Sequence, residues 1–467
     1  MLKIPETKKM LSGQVTRVAR ATVRNCSSSP SQATRSYAVA SSAAFSAVPG
    51  NHNHKVVVIG GGAAGLSVSH QLLRSGQFSQ GDIAIIDPST WHHYQPGWTL
   101  VGGGLKDKND LRKPLAKLIN PKLKFHNDGV ATFSPGNNSV TLRSGDKVTY
   151  EQLIVAPGIH IKYDSIKGLP EALADEAGLV STIYGYDTCD KLARSVNQLK
   201  RGTAIFTQPS GIVKCAGAPQ KAMWLAYDKW TRAGLLRRGD RDASPIKISF
   251  ATGLPVMFGV PKYSAKLDDL RRQRGVEGLF QHDLVEIKGN EAVFAAAGGE
   301  KVTRHFDFLH AVPKMGPHQF VAQSPLANEA GLVDVDDATM QHKKYPNVWS
   351  LGDASSLPTS KTAAAITSQA PILVSNVMQM INAKGKALAS YDGYTSCPIT
   401  TSYGKVLLAE FVYGGKPKET FGKWLGIDQA IPRKAFYYLK KDFFPWVYYK
   451  FMMKGRWAGP NGFNTRI

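Results

Sequence analysis

The strongest constraint on the fold is the run Lys55-Val56-Val57-Val58-Ile59, which leads directly into Gly60-Gly61-Gly62-Ala63-Ala64-Gly65. A β-branched run of this kind reads as a strand buried on both faces in a parallel sheet. A helical pattern follows from Leu66 to Arg74, and a second strand, Ile83-Ala84-Ile85-Ile86, ends in Asp87. A GxGxxG string alone is a weak signal. Strand, glycine turn, helix, strand and acid in that order make the full context of a Rossmann dinucleotide-binding unit. There Gly60 permits the tight turn, Gly62 lets the backbone approach a pyrophosphate, and Gly65 lets the helix pack on the strand, with Gly61 and Ala64 completing the loop. The unpaired N–H groups of the helix N-terminus serve the phosphates, and Asp87 accepts hydrogen bonds from a ribose.

Two later segments extend this reading. Leu153-Ile154-Val155-Ala156-Pro157-Gly158 resembles the ATG-type strand of the two-dinucleotide-domain flavoproteins, and Val348-Trp349-Ser350-Leu351-Gly352-Asp353 resembles their C-terminal strand ending in Gly-Asp. The resemblance implies FAD in the first unit, with Asp353 on its ribityl chain. Flavoproteins of that architecture carry a second glycine cradle for NAD(P)H near the middle of the chain. Here the strand Thr203–Thr207 is present, but Gln208-Pro209-Ser210-Gly211-Ile212-Val213-Lys214-Cys215-Ala216-Gly217 follows it and cannot form that cradle. The second nucleotide site is therefore expected to be lost. A thiol near a helix N-terminus, flanked by Lys214 and Lys221, has its thiolate favoured by dipole and charge, which makes Cys215 a redox candidate.

The string Val213–Lys221, together with Tyr94-Gln95-Pro96, Pro358–Ala365 and Tyr391–Pro398, is similar to eukaryotic mitochondrial sulfide:quinone oxidoreductases, and the match runs along nearly the whole chain after residue 55. The resemblance implies an enzyme that oxidises hydrogen sulfide through Cys215 and Cys397, joined as a disulfide or through a bridging sulfur. Cys397 takes up the sulfide, Cys215 carries the released anion next to FAD, the electrons pass to ubiquinone, and glutathione or sulfite removes the sulfur. It further implies FAD contacts at Gly60, Gly61, Gly62, Ala64, Gly65, Asp87, Gln95, Val130, Ala156, Gly158, Gly352, Asp353, Lys361 and Thr362. Lys361 and the helix that follows it would stabilise negative charge at the flavin N1 and C2 carbonyl. Two positions depart from many relatives, Asp87 in place of Glu and Ala354 in place of Cys.

The implied fold class is α/β with two Rossmann-like dinucleotide-binding-type domains, the first binding FAD and the second without an NAD site, plus a C-terminal membrane-associating region. The expected boundaries are a transit peptide over 1–50, the FAD domain over 51–165 and 321–385, the second domain with Cys215 over 166–320, and the C-terminal region with Cys397 over 386–467. Of the formal net charge of +23, the first fifty residues contribute +6, with seven basic residues against Glu6, and +17 remains. Such an acid-poor, Ser- and Ala-rich leader has the composition of a mitochondrial presequence.

No run of apolar residues is long enough to span a bilayer. From Ala430 onward, however, Arg433, Lys434, Lys440, Lys441, Lys450, Lys454 and Arg456 interleave with Phe, Tyr and Trp. That pattern suits an interfacial segment on anionic lipid at the inner mitochondrial membrane, where a lipid-borne quinone is delivered. Pro445 is expected to separate two short helices there. The four cysteines lack metal-ligand spacing, so no metal is expected. Cys26 leaves with the presequence, and Cys189, His92 and His93 read as structural. A type II NADH:quinone oxidoreductase would need the missing glycine cradle. A flavin scaffold binding nucleic acid would leave the two cysteines without a purpose.

Overall fold

The structure, a computed structural model, describes residues 50–382 and 389–463. The expected presequence, with Cys26, lies outside the described residues apart from Gly50.

The run Lys55–Ile59 forms the second half of β1 (Asn51–Ile59), in the middle of a seven-stranded sheet. Beside it run β2 (Ile83–Ile86) and β3 (Lys124–His126) on one side, and β6 (Lys147–Val155) on the other. These strands are parallel, and Val56, Val57, Val58, Ala84, Ile85, Leu153 and Ile154 have no exposed surface, as expected of strands covered on both faces. The first half of β6 pairs antiparallel with β5 (Ser139–Leu142), which carries β4 (Val130–Ser134) beyond it. Its second half takes the strand Val348–Ser350 in parallel. A segment almost two hundred residues away in sequence thus returns to the first sheet and brings Gly352 and Asp353 to the same end as the glycine loop.

A second parallel sheet has the order β7 (Val180–Ser181), β11 (Phe308–His310), β8 (Gly202–Gln208), β9 (Ile246–Thr252) and β10 (Glu277–Phe280). An antiparallel three-stranded unit spans His282–Lys288, Glu291–Ala296 and Lys301–His305. After β8 the chain runs through Pro209–Gly217 into α2 (Ala218–Arg232), whose Trp224, Tyr227 and Trp230 are fully buried. Helix α1 (Ala63–Arg74) packs on α3 (Ala363–Ile381) over the first sheet. A third sheet, β12 (Thr395–Ser402), β13 (Lys405–Val412) and β14 (Lys416–Pro417), lays β12 against α2.

The C-terminal part holds α4 (Thr420–Leu425), α5 (Lys434–Tyr438), a π-helical turn (Leu439–Phe443) and α6 (Phe444–Lys450). The expected break at Pro445 does not occur, and the chain stays helical from Lys434 to Lys450. Pro445 lies in the first turn of α6, where a missing N–H is tolerated, and the irregularity falls instead on the π turn before it. Among the described residues no helix is long and apolar enough to cross a membrane.

The glycine loop shows why its residue types are required. Gly60 has φ +103, and a Cβ there would lie 2.4 Å from Ala156 O. At Gly65 a Cβ would lie 1.8 Å from Gly60 O, so helix and turn could not both keep their places. Gly65→Ala is expected to destabilise the fold by at least ~3 kcal/mol, the upper part of the overpacking range, measured by thermal or urea unfolding; a loss within about 0.5 kcal/mol, the range of ordinary surface changes, would contradict this packing.

Candidate functional site

Backbone pairing brings the central loop onto the first sheet. Cys215 N–H donates to Lys361 O (2.8 Å), and Lys214 and Lys361 form a parallel bridge. Cys215 takes the left-handed backbone conformation (φ +52) and turns the chain into α2, with Ala218 N–H donating to Cys215 O (2.7 Å). Strand β12 delivers Cys397 to the same place, and the two sulfurs are 3.5 Å apart although 182 residues separate them in sequence. Gly217 makes room, because a Cβ there would lie 2.5 Å from Cys397 Sγ.

Lys221, one turn into α2, donates to Cys215 Sγ (3.1 Å) and is 3 % exposed. The hydrogen bond from Cys397, followed by the Lys221 ammonium, holds the Cys215 thiol well below its usual range. Cys397, bonded to that sulfur and buried beside its charge, is pushed well above. The pair therefore carries one thiolate, on Cys215, and Lys221 stays charged because the sulfur faces it.

The sequence reading assigned the second cation to Lys214, and this is corrected. The Lys214 ammonium reaches Gln95 Oε1 (3.4 Å), and the second positive charge acting on the sulfurs comes from Lys440. Lys440 sits in the π turn, is 4 % exposed, and is lowered to about 7 by burial and by Lys221. It was legible only as one of several basic residues in an aromatic segment; a π turn, frequent at functional sites, leaves no mark in sequence.

One cavity of about 680 Å³ joins the glycine loop to Cys215 and to the C-terminal aromatics, while Cys397 is buried behind its wall, between the lining residues Ser396 and Pro398. Gly61, Gly62, Ala64, Asp87, Gln95, Ala156, Gly158, Asp353, Lys361, Thr362 and Cys215 line it. Gly60, Gly65 and Gly352 sit beneath its wall, and Val130 is buried in β4, so these four do not line it. Asp87 Oδ2 accepts from Gly61 N–H (2.6 Å) and Oδ1 from Ser89 N–H (2.7 Å), which ties the acid to the loop. Thr362 caps α3 by accepting from Ala365 N–H (3.0 Å), so the N-terminus of a nineteen-residue helix opens on the cavity. Lys361 donates to Ser355 O (2.6 Å), which anchors its ammonium on the backbone. Burial pushes the Asp353 carboxyl up against the pull of Lys214 and Lys361.

These residues fit a dinucleotide. A Cβ on Gly62 would meet no protein atom, leaving open space over the helix N-terminus, and two wall atoms, Trp98 Nε1 and His93 Nδ1, are buried without a protein partner. His92 links this end to the C-terminal part. Gly61 O can only accept, so Nδ1 donates to it (2.9 Å), and the neutral ring, lowered to about 4 by burial, accepts from Tyr448 OH at Nε2 (2.8 Å). Cys189 is fully buried, its thiol pushed up to about 12 by burial, in keeping with a structural role.

Residues 54–204 match the family of pyridine nucleotide-disulphide oxidoreductases. A mitochondrial sulfide:quinone oxidoreductase of Schizosaccharomyces pombe is 45% identical over 434 residues, covering 88% of this chain and 92% of the relative. The chain belongs to the sulfide:quinone oxidoreductases. A member of the family from Dictyostelium discoideum is 47% identical over 413 residues, covering 87% of each chain. The crystal structure of the sulfide:quinone oxidoreductase of Aquifex aeolicus shares the fold, with a TM-score of 0.68 at 18% identity over 85% of this chain and 92% of that one. In this member of the family the mixed α/β fold with its Rossmann-like unit, expected from the motifs, is thus also that of a solved relative.

The hold of Lys221 on the thiolate is open to direct measurement. Lys221→Met removes the cation at similar volume, so the Cys215 thiol must rise, and the midpoint of the pH profile for alkylation of the reduced protein should move up by about one unit, a tenfold change in the ionisation constant. An unchanged pH profile of alkylation would show that Lys221 does not hold the thiolate.

Proposed function

We propose that this protein oxidises hydrogen sulfide at the Cys215–Cys397 pair and passes two electrons, through bound FAD, to a membrane quinone. The observation that carries the proposal is the single cavity running from the glycine loop past Cys215 to the aromatic C-terminal rim. Gly61, Gly62, Asp87, the α3 N-terminus and Lys361 would hold FAD, which supplies two-electron redox chemistry when bound.

In the oxidised protein the two sulfurs are linked, directly or through one further sulfur atom. Hydrosulfide attacks at Cys397, a new sulfur–sulfur bond forms there, and the bond from Cys397 toward Cys215 breaks. Cys215 leaves as thiolate from a direct link, or as its persulfide anion where a further sulfur bridges the pair, and the anion is favoured because a sulfur held at low pKa is the better leaving group. Lys221 and Lys440 offset the anions, and Cys215, on the cavity wall, presents its electron-rich sulfur to the cofactor space. A thiol or sulfite acceptor, glutathione or sulfite itself, then takes the outer sulfur from Cys397.

The acceptor end is membrane-bound. Trp424 (65 %), Leu425 (66 %), Tyr438 and Trp446 are exposed large side chains on α4, α5 and α6, whereas Phe436, Tyr437 and Tyr448 of the same segment pack inward. Exposed aromatics with lysines beside them suit the headgroup layer, and Trp424, Phe443, Phe444 and Phe463 line the cavity mouth. A quinone reaches the cavity without leaving the lipid, with the protein peripheral on the inner mitochondrial membrane. The names of the relatives support the mitochondrion. The absence of a glycine cradle after β8 speaks against NADH as donor.

Anaerobic addition of sulfide should bleach the flavin absorbance of the purified protein within one turnover, NADH should leave it unchanged, and Cys215→Ser should abolish the bleaching. Bleaching by NADH, or by sulfide in the serine variant, would overturn the assignment.

A further inference from the structure

The apolar half of the cavity contains one acid. Pro398, Leu408, Phe421, Trp424, Leu439 and Phe443 supply its apolar wall, and Glu410 of β13 stands among them, 5 % exposed. The cation of this corner, Lys262, pairs with Glu419 (2.8 Å) and Asp428 (3.1 Å), and Glu410 forms no ion pair among the described residues. Its carboxylate accepts instead from Tyr394 OH, Thr420 Oγ1 (3.0 Å), Thr420 N–H (2.8 Å) and Gln429 Nε2 (2.8 Å).

Two of these four partners are hydroxyls, which can turn from donating to accepting. The shell therefore serves a carboxylate and, with one hydroxyl reversed, a protonated carboxyl. Of the carboxylate's partners Thr420 is half-buried, whereas Tyr263 OH meets Glu410 only at its backbone, at N (3.2 Å) and O (3.0 Å).

We propose that Glu410 is the catalytic acid of the acceptor half-reaction, handing a proton to an oxygen of the quinone. This rests on the quinone reading above. Overall, hydrosulfide, quinone and one proton give quinol and one sulfur atom held on the cysteine pair. Hydrosulfide is oxidised and supplies two electrons and one proton; the second proton comes from water. Glu410 takes it up, its O–H bond breaks as the quinone O–H bond forms, and the carboxylate is restored. Negative charge arriving on a quinone oxygen beside a carboxylate in an apolar wall is opposed by like charge, so proton delivery accompanies electron arrival.

The test follows the two half-reactions separately in the full-length FAD-loaded protein, by stopped flow, with a short-chain ubiquinone analogue as acceptor. Glu410→Gln should keep sulfide bleaching within about twofold of the parent while flavin reoxidation by the quinone slows by about a hundredfold, the lower range for loss of a general acid. The analogue's equilibrium binding should stay within about threefold, and the solvent deuterium effect on reoxidation seen in the parent should change. Tyr394→Phe, which keeps Glu410 but removes a reversible partner, should slow reoxidation by about tenfold and carries the test if the glutamine variant does not fold. Reoxidation at the parental rate in the folded variant, or a loss confined to quinone binding, would overturn the proposal. If the parent itself is bleached by sulfide but not reoxidised by the quinone, it is the quinone reading that fails.

Discussion

A lysine ammonium 3 % exposed and in contact with a sulfur is a demanding arrangement. Removing such a charge from water costs several kcal/mol unless an anion faces it, and Cys215, 3.1 Å away, is the group that meets the requirement. The contact needs several distant segments to agree. The central loop must turn through a left-handed Cys215, Lys361 must offer its carbonyl, Gly217 must leave room, and β12 must bring Cys397 to 3.5 Å. One thiolate, on Cys215, beside a neutral Cys397 thiol is the electrostatic result, and the chemistry of the site rests on it.

The remaining architecture puts that pair to use. The long strand β6 accepts β5 along its first half and Val348–Ser350 along its second, so Asp353 and the α3 N-terminus arrive beside the glycine loop. At the opposite end the C-terminal helices close the cavity with apolar side chains and present others outward. His92 joins the two ends, bonding the loop carbonyl of Gly61 on one side and Tyr448 of α6 on the other. The glycine loop, Cys215 and the C-terminal aromatics thus share one cavity.

Local features of this design were legible in the sequence. The strand, glycine turn and helix at Lys55–Arg74 obey short-range steric rules, and at Gly60 and Gly65 the added Cβ meets backbone where a glycine was expected. The cysteine pair was legible through long shared strings with a known family. Features that depend on packing between distant segments were not. Lys214 is the immediate neighbour of Cys215 along the chain and Lys221 lies six residues on, yet it is Lys221, on the inner face of α2, that touches the sulfur. Lys440 faces inward because a π turn shifts the helical register, and Glu410 was passed over because a lone acid in a strand acquires meaning only from the cavity beside it. Pro445 was read as a helix breaker, but its place in a first turn removes the penalty.

The link between the two sulfurs is most directly tested by peptide mapping of the oxidised protein, unfolded and alkylated without reductant. The account predicts one cross-linked species, the Cys215 peptide joined to the Cys397 peptide with or without one additional sulfur atom, and Cys189 alkylated as a free thiol. Recovery of Cys215 and Cys397 both alkylated as separate peptides, or of either joined to Cys189, would contradict it.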